Sequence, residues 1–361
     1  MKKLIIKKIS LQFLISTVVI ALFTGCEKDK ITTPFSVKTD NSAKLLFYLE
    51  EQGDIINNIL LPVVQAAEVF NNLNNYLIVD IRDSSDFLNG HIEGAKNIST
   101  DSLFKYIKIN STRLTKVVLI SASGQSAAYC TSLLRIAGFT NIYYMNYGMA
   151  SWNLFFSAVW TNRLSTYPDF SIFTHAFYHK KPYSDLPQIN LSTPAESMAE
   201  FVNERTDALI REGFNENFNT LLSKTSLTFN YCVNANPPFY TICTGPVMLY
   251  SSSPLSTNTY HPLGAVLYQV PPDFSDLRSG TNLQTLPPDG SIAVYSGTGQ
   301  ESAFYTAYLR LLGYDARSVL FGMNNIDYGM LFHSPEIITY AFKTEYIMNY
   351  PYFTGNSDNL H

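Results

Sequence analysis

Two serines, Ser121 and Ser296, open matching small-residue loops, Ser121-Ala122-Ser123-Gly124-Gln125-Ser126 and Ser296-Gly297-Thr298-Gly299-Gln300. Each loop follows an apolar run of β-forming residues (117–120 and 292–295) and precedes a helix-period segment stopped by glycine, Gly138 or Gly313. A strand that feeds a helix N-terminus in this way turns backbone N–H groups toward whatever sits above the loop, so each loop is a candidate anion cradle before any side chain acts. Through its N–H groups and hydroxyls the cradle around Ser121, Ser123, Gly124 and Gln125 could hold a small neutral or weakly anionic molecule. Either serine could serve as a nucleophile only with a base in hydrogen-bond reach. The histidines repeated between the two regions are His91 and His261, and neither serine sits in a Gly-x-Ser-x-Gly elbow.

Other reactive side chains give weaker patterns. Cys130 falls more than two turns into the helix after the first loop, among apolar neighbours, and reads as a buried thiol. Cys232 and Cys243 flank a turn-forming stretch, 234–238, between two β-rich runs; a hairpin there would allow a disulfide, and two free thiols in separate strands are the alternative. His175 and His179 would share one face if their segment were helical, yet no third ligand is evident beside them. Nothing in these patterns calls for a metal or a cofactor.

The elements that must position the serines recur. Residues 118–139 overlay 293–314 without a gap, with identities at Ser121/Ser296, Gly124/Gly299, Gln125/Gln300, Ala128/Ala303, Thr131/Thr306, Leu134/Leu309, Arg135/Arg310 and Gly138/Gly313. A repeat at this distance implies two copies of a domain, and 361 residues are enough for both. The net charge of −4 and the absence of a long basic run give no reason to expect nucleic acid as a partner. With 14% aromatic and 15% charged residues the chain suits a globular protein with ample core.

The first copy begins with helical patterning over 42–60, one helix or two on either side of Gly53, and a second helical segment over 64–73. A buried strand at 76–81 and a turn at 83–85 follow. Leu77-Ile78-Val79-Asp80-Ile81-Arg82, with Asp86-Phe87, Gly90-His91-Ile92 and Gly94-Ala95, resembles the first signature of rhodanese-like domains. The loop at 121–126 resembles that family's active-site region, and Tyr147-Gly148-Met149 with Trp152 its closing segment. The resemblance spans about residues 62–155 and implies an α/β domain whose mainly parallel sheet is flanked by helices, with Asp80, Arg82, His91 and Gly94 as structural positions. Strands alternating with helices favour the same architecture. In the family the loop opens with the cysteine that carries the persulfide; here that residue is Ser121, whose barely ionised hydroxyl cannot hold a transferable sulfur. Ala122 and Ser126 stand where many members have arginine.

In the second copy His261 and Gly264 match His91 and Gly94, and a strand is expected within 247–251. Ser296 again replaces the cysteine, and Glu301 should repel an anion. Gly322-Met323 repeats Gly148-Met149. Between the copies, Thr193-Pro194-Ala195-Glu196 reads as a capping box opening a helix that Gly213 closes.

The first residues read differently: Lys2, Lys3, Lys7 and Lys8, then an apolar run over 11–23, then Thr24-Gly25-Cys26. They resemble a bacterial lipoprotein signal, which would make Cys26 the lipidated mature N-terminus; a secretory peptide with an incidental cysteine is the alternative. Glu27 after the cysteine, by resemblance to lipoprotein sorting, favours the outer membrane over the inner. The expected organisation is a signal peptide (1–25), a tether (26–40), a first rhodanese-like domain (41–165), a linker with a second (166–335), and a tail (336–361) that packs through its Tyr, Phe and Ile residues. The expected function is a lipid-anchored cell-envelope protein with a binding or scaffold role and an unidentified protein or small-molecule ligand. Thiosulfate sulfurtransferase activity is one alternative; a serine hydrolase at the same loop is another.

Overall fold

The computed structural model describes residues 41–58, 60–183, 185–189, 197–251, 260–271, 275–278, 283–355 and 359–360. Cys26, the signal and tether segments and the 193–196 capping box lie outside the described residues. Leu45, Leu46 and Leu49 recur at helical spacing, and they bury one face of a single helix, α1 (Asn41–Glu51), which ends before Gly53.

The first half then runs β1 (Val63–Val64), α2 (Ala66–Phe70), β2 (Leu77–Asp80), α3 (Ser84–Asn89), β3 (Lys96–Asn97), α4 (Thr100–Asn110), β4 (Val117–Ile120), α5 (Gln125–Ile136), β5 (Ile142–Met145), α6 (Met149–Trp152) and α7 (Ala158–Thr161). Its five strands pair in parallel in the order β1-β5-β4-β2-β3. β4 lies at the centre, where all four of its apolar residues are buried, as a strand covered on both faces requires.

The second half contributes β6 (Phe173–Thr174), α8 (Met198–Glu212), β7 (Ser226–Leu227), α9 (Phe229–Asn234), β8 (Tyr240–Thr244), α10 (Val247–Tyr250), β9 (His261–Pro262), β10 (Val266–Tyr268), β11 (Ser291–Tyr295), α11 (Gln300–Leu311), β12 (Asp315–Val319) and α12 (Met323–Ile326). Its sheet, also parallel, has the order β10-β8-β11-β12-β7. Read from the other end, that order matches the first sheet strand for strand, with β11 in the place of β4. The expected α/β class, two parallel sheets flanked by helices, is what the chain forms.

Several local expectations change. Residues 247–250 form helix α10, which Ser251 leaves in extended conformation; the strand beside β11 is β8, where Cys243 pairs with Tyr295 as Asp80 pairs with Ile120. The run at 229–234 is helix α9, capped by the Thr228 hydroxyl, so Cys232 and Cys243 do not face each other across a hairpin. Both are free, buried thiols, and burial pushes them up to about 11 and about 12. His175 and His179 follow β6 in irregular chain, not helix, so the helical spacing that would have aligned them is absent. The turn at 83–85 is the start of α3.

α5 and α11 pack directly on each other, and α8 lies against both while also touching α1 and α4. α8 ends at Gly213, as expected, in a left-handed residue. All twelve residues of α5 are buried, including Tyr129 and Cys130. The tail crosses to the first half: Phe342 stacks on Trp160 with centroids 5.3 Å apart, Tyr350 stacks on Phe70 at 4.0 Å, and Trp152 Nε1 donates to the Pro351 carbonyl at 2.8 Å. From residue 40 onward the chain clusters as one compact unit.

Candidate functional site

Each loop bends into its helix through a glycine that must be left-handed, Gly124 at φ 85° and Gly299 at φ 79°. The bend folds the serine hydroxyl over the helix N-terminus. Ser121 Oγ accepts from the N–H groups of Gly124 (3.1 Å) and Ala127 (3.3 Å). Ser296 Oγ accepts from Gly299 (3.0 Å) and Ser302 (3.1 Å). Both serines therefore cap helices.

Above the first loop sits a carboxylate that belongs to the chain itself. Glu216 Oε1 accepts from the N–H groups of Ala122 at 2.8 Å and Ser123 at 3.4 Å. Its Oε2 accepts from the Ser126 N–H at 3.2 Å, Ser121 Oγ at 3.2 Å and Ser123 Oγ at 2.7 Å. Charge-assisted bonds from N–H groups at a helix start are among the stronger polar contacts a protein makes. Glu216 arrives there because α8 stops at Gly213 and Phe214 anchors on Tyr129, ring centroids 5.4 Å apart, which directs the following residues over the loop. Sequence reading missed Glu216. Its one signal was an acidic residue close behind a helix-ending glycine, and nothing local ties such a residue to a loop so distant in the chain.

The second loop meets Glu301, from the first turn of its own helix. The half-buried carboxylate faces the Thr298 N–H at 3.5 Å. Burial pushes Glu301 up to about 7, against the lowering contributed by hydrogen bonds from Ser296, Thr298 and Gly297. Gly297 packs against the ring of Tyr340, leaving no space there for a Cβ. An anion approaching the first loop thus meets a carboxylate already in place, and one approaching the second meets the carboxyl of Glu301, only partly ionised near neutral pH.

Gln125 and Gln300 are buried and take a role unlike the ligand contact expected of them. Gln125 Oε1 accepts from the Phe321 N–H at 2.9 Å, and Gln300 Oε1 from the Tyr147 N–H at 2.8 Å. Each helix start therefore caps the tight turn of the opposite half. Those turns hold Tyr147 at φ 59° and Phe321 at φ 63°, conformations that cost a non-glycine residue strain unless its surroundings fix them.

The structural positions are built in. Arg82 forms a buried fork on Asp80, with Nη2 2.6 Å from Oδ2, and also donates to the Gly90 carbonyl at 2.7 Å. His91 stacks on Phe87 at 3.9 Å with Nδ1 2.9 Å from the Phe87 carbonyl; His261 stacks on Tyr250 at 3.7 Å with Nε2 2.9 Å from the Ala176 carbonyl. Neither histidine reaches Ser121 or Ser296, and among the described residues the hydrogen-bond partners of the two serines include no imidazole. Gly94 and Gly264 both take left-handed turns, at φ 72° and 77°. Burial pushes Cys130 up to about 12, so no thiolate forms in the core of α5 near neutral pH. Beside the first loop a cavity of about 420 Å³ is lined by Ala122, Arg82, Met149 and Phe156.

Comparison with known proteins places these features in a family. Residues 65–154 match the rhodanese-like domain model. The chain is 33% identical over 76 residues to the thiosulfate sulfurtransferase GlpE of Shewanella oneidensis, an alignment spanning 21% of this chain and 74% of that protein. Among solved structures, a rhodanese-related protein from Thermoplasma volcanium is 29% identical and aligns over 25% of this chain and 88% of its own, with a TM-score of 0.23. A thiosulfate sulfurtransferase from Pseudomonas aeruginosa is 12% identical, aligning over 77% of this chain and 45% of its own, with a TM-score of 0.26.

Proposed function

Because the chain belongs to the rhodanese-like family, we propose that it is a non-catalytic member with two rhodanese-like domains, held to the cell envelope by lipid on Cys26 and used for binding or scaffolding. The observation that carries the reading is Glu216. Its carboxylate takes up the donors of the loop at 121–126, while Ser121 supplies no sulfur nucleophile beneath it. Sulfur transfer needs a thiolate and an approach for an anionic donor. Serine removes the first and Glu216 opposes the second. The matching strand order of the second sheet, and Ser296 beneath Glu301, support the same reading for the second half.

Thiosulfate-to-cyanide transfer by the full-length chain tests this directly. Wild type should be inert, and so should Ser121→Cys alone, because its thiol would lie against the Glu216 carboxylate. Ser121→Cys combined with Glu216→Gln should gain turnover. Wild-type turnover that survives replacement of Ser121 would overturn the proposal and turn attention to Cys130, Cys232 and Cys243. For the anchor, the mature N-terminus should be diacylated or triacylated Cys26 by mass spectrometry, in the outer-membrane fraction; an unmodified Cys26 in the cytosol would sink that part. No helix among the described residues is long and apolar enough to cross a membrane.

A further inference from the structure

Arg135 and Arg310 occupy equivalent places near the ends of α5 and α11, and each sends Nη1 to backbone carbonyls, Ile142 at 3.0 Å and Lys224 at 2.7 Å respectively. Their charges are handled differently. Arg310 pairs with Glu212 at 2.7 Å, whereas no carboxylate among the described residues pairs with Arg135. Arg135 is only 8% exposed; its Nε, like that of Arg310, has no acceptor, and its guanidinium lies 5.6 Å from the centre of the Tyr143 ring. Burying a guanidinium without a counter-charge is costly, and burial lowers its proton affinity.

This uncompensated arginine lines a cavity of about 350 Å³ between α1, α5 and α8, and Arg113, which forms no ion pair among the described residues, lines it too. The acid in the wall, Asp54, is engaged elsewhere, by Asn57 at 2.7 Å and Arg278 at 3.6 Å. The remaining wall has an aliphatic part, with Ile55, Ile136 and Val202, beside uncharged polar residues, Gln52, Thr140 and Asn203. A planar anion with an apolar body answers both features, since a guanidinium fork fits a carboxylate and the aliphatic wall fits a hydrocarbon.

We propose that this cavity binds a small organic carboxylate, its carboxylate paired with Arg135 and Arg113 as Glu212 is paired with Arg310, and its body against Ile55, Ile136 and Val202. The site lies away from both serine loops and does not depend on the function proposed for them.

Calorimetric titration of the full-length chain with benzoate, and separately with inorganic phosphate, tests the site. Wild type should bind benzoate saturably and phosphate at least about tenfold more weakly. Arg135→Gln should weaken benzoate at least about tenfold. Ala199→Phe, which projects a ring from α8 into the cavity and leaves the charges alone, should abolish binding with the circular dichroism spectrum unchanged. The Ala199→Phe arm holds whether or not Arg135→Gln folds. No saturable benzoate binding by wild type, undiminished binding in either folded variant, or a preference for phosphate would each overturn the proposal.

Discussion

At the residue scale, what decides the chemistry of each loop is which charge sits above its N–H groups. Ser121 could be read from sequence as a missing nucleophile, but a loop rich in N–H donors remained, and only the fold brought Glu216 to it. Glu216→Ala should destabilise the protein by about 2 kcal/mol, since it strands several charge-assisted bonds. Sulfate should restore part of that loss in the variant and leave wild type unmoved, as read by thermal denaturation. An equal response in the two would mean that the loop does not hold anions.

Glu301 carries the opposite pH dependence from a salt-bridged acid. Its folded value of about 7 lies above the ordinary 4.5, so between those values the folded state holds more protons than the unfolded one. Its contribution is fully present below about pH 4.5 and is lost as pH rises through 7. At a half-buried site this amounts to about 2 kcal/mol, discounted for solvent screening. Glu301→Gln should therefore stabilise the protein at pH 8 and leave it unchanged at pH 4.5 in chemical denaturation. A gain of equal size at both pH values would contradict the assignment.

At the element scale the two helix starts are coupled. The repeat placed Gln125 and Gln300 at the same position, and local reading assigned them to ligands because each opens a helix beside a cradle. In the folded chain the helices meet, so each amide reaches the opposite turn. Gln125→Ala or Gln300→Ala should each cost about 1–3 kcal/mol, the penalty of a buried N–H left without an acceptor. Denaturation of the two single variants and the double variant would measure it. A cost near zero would mean that water replaces the amide oxygen and that the exchange contributes little.

For the whole molecule, the halves are tied by α5 on α11, by α8 across them, and by the tail reaching back to the first half. A single unfolding transition is the expected consequence, seen alike by fluorescence and circular dichroism. The chain has two tryptophans, Trp152 and Trp160, and both contact the tail. Ending the chain after Ala341 removes Phe342, Tyr346 and Tyr350 from them and from Tyr147. It should red-shift the emission and cost at least about 3 kcal/mol, the scale of deleting one buried aromatic ring. Unshifted emission would mean that the tail only lies on a surface complete without it.

The sequence by itself determined the strand, loop and helix at 117–136 and its recurrence, because these rest on local period and on glycines that must be left-handed. It also placed serine at 121 and 296, where the family resemblance leads to the expectation of a cysteine, since residue identity needs no fold. The α/β class followed from strands alternating with helices. Tertiary structure alone decided that Glu216 lies over Ser121, that Gln125 and Gln300 cross between halves, and that Arg135 lacks the partner Arg310 has. It also decided helices at 229–234 and 247–250, where β-rich composition pointed to strands and packing prevailed over propensity. Charge pairing across a fold depends on where the chain returns, and a one-dimensional pattern does not encode that distance.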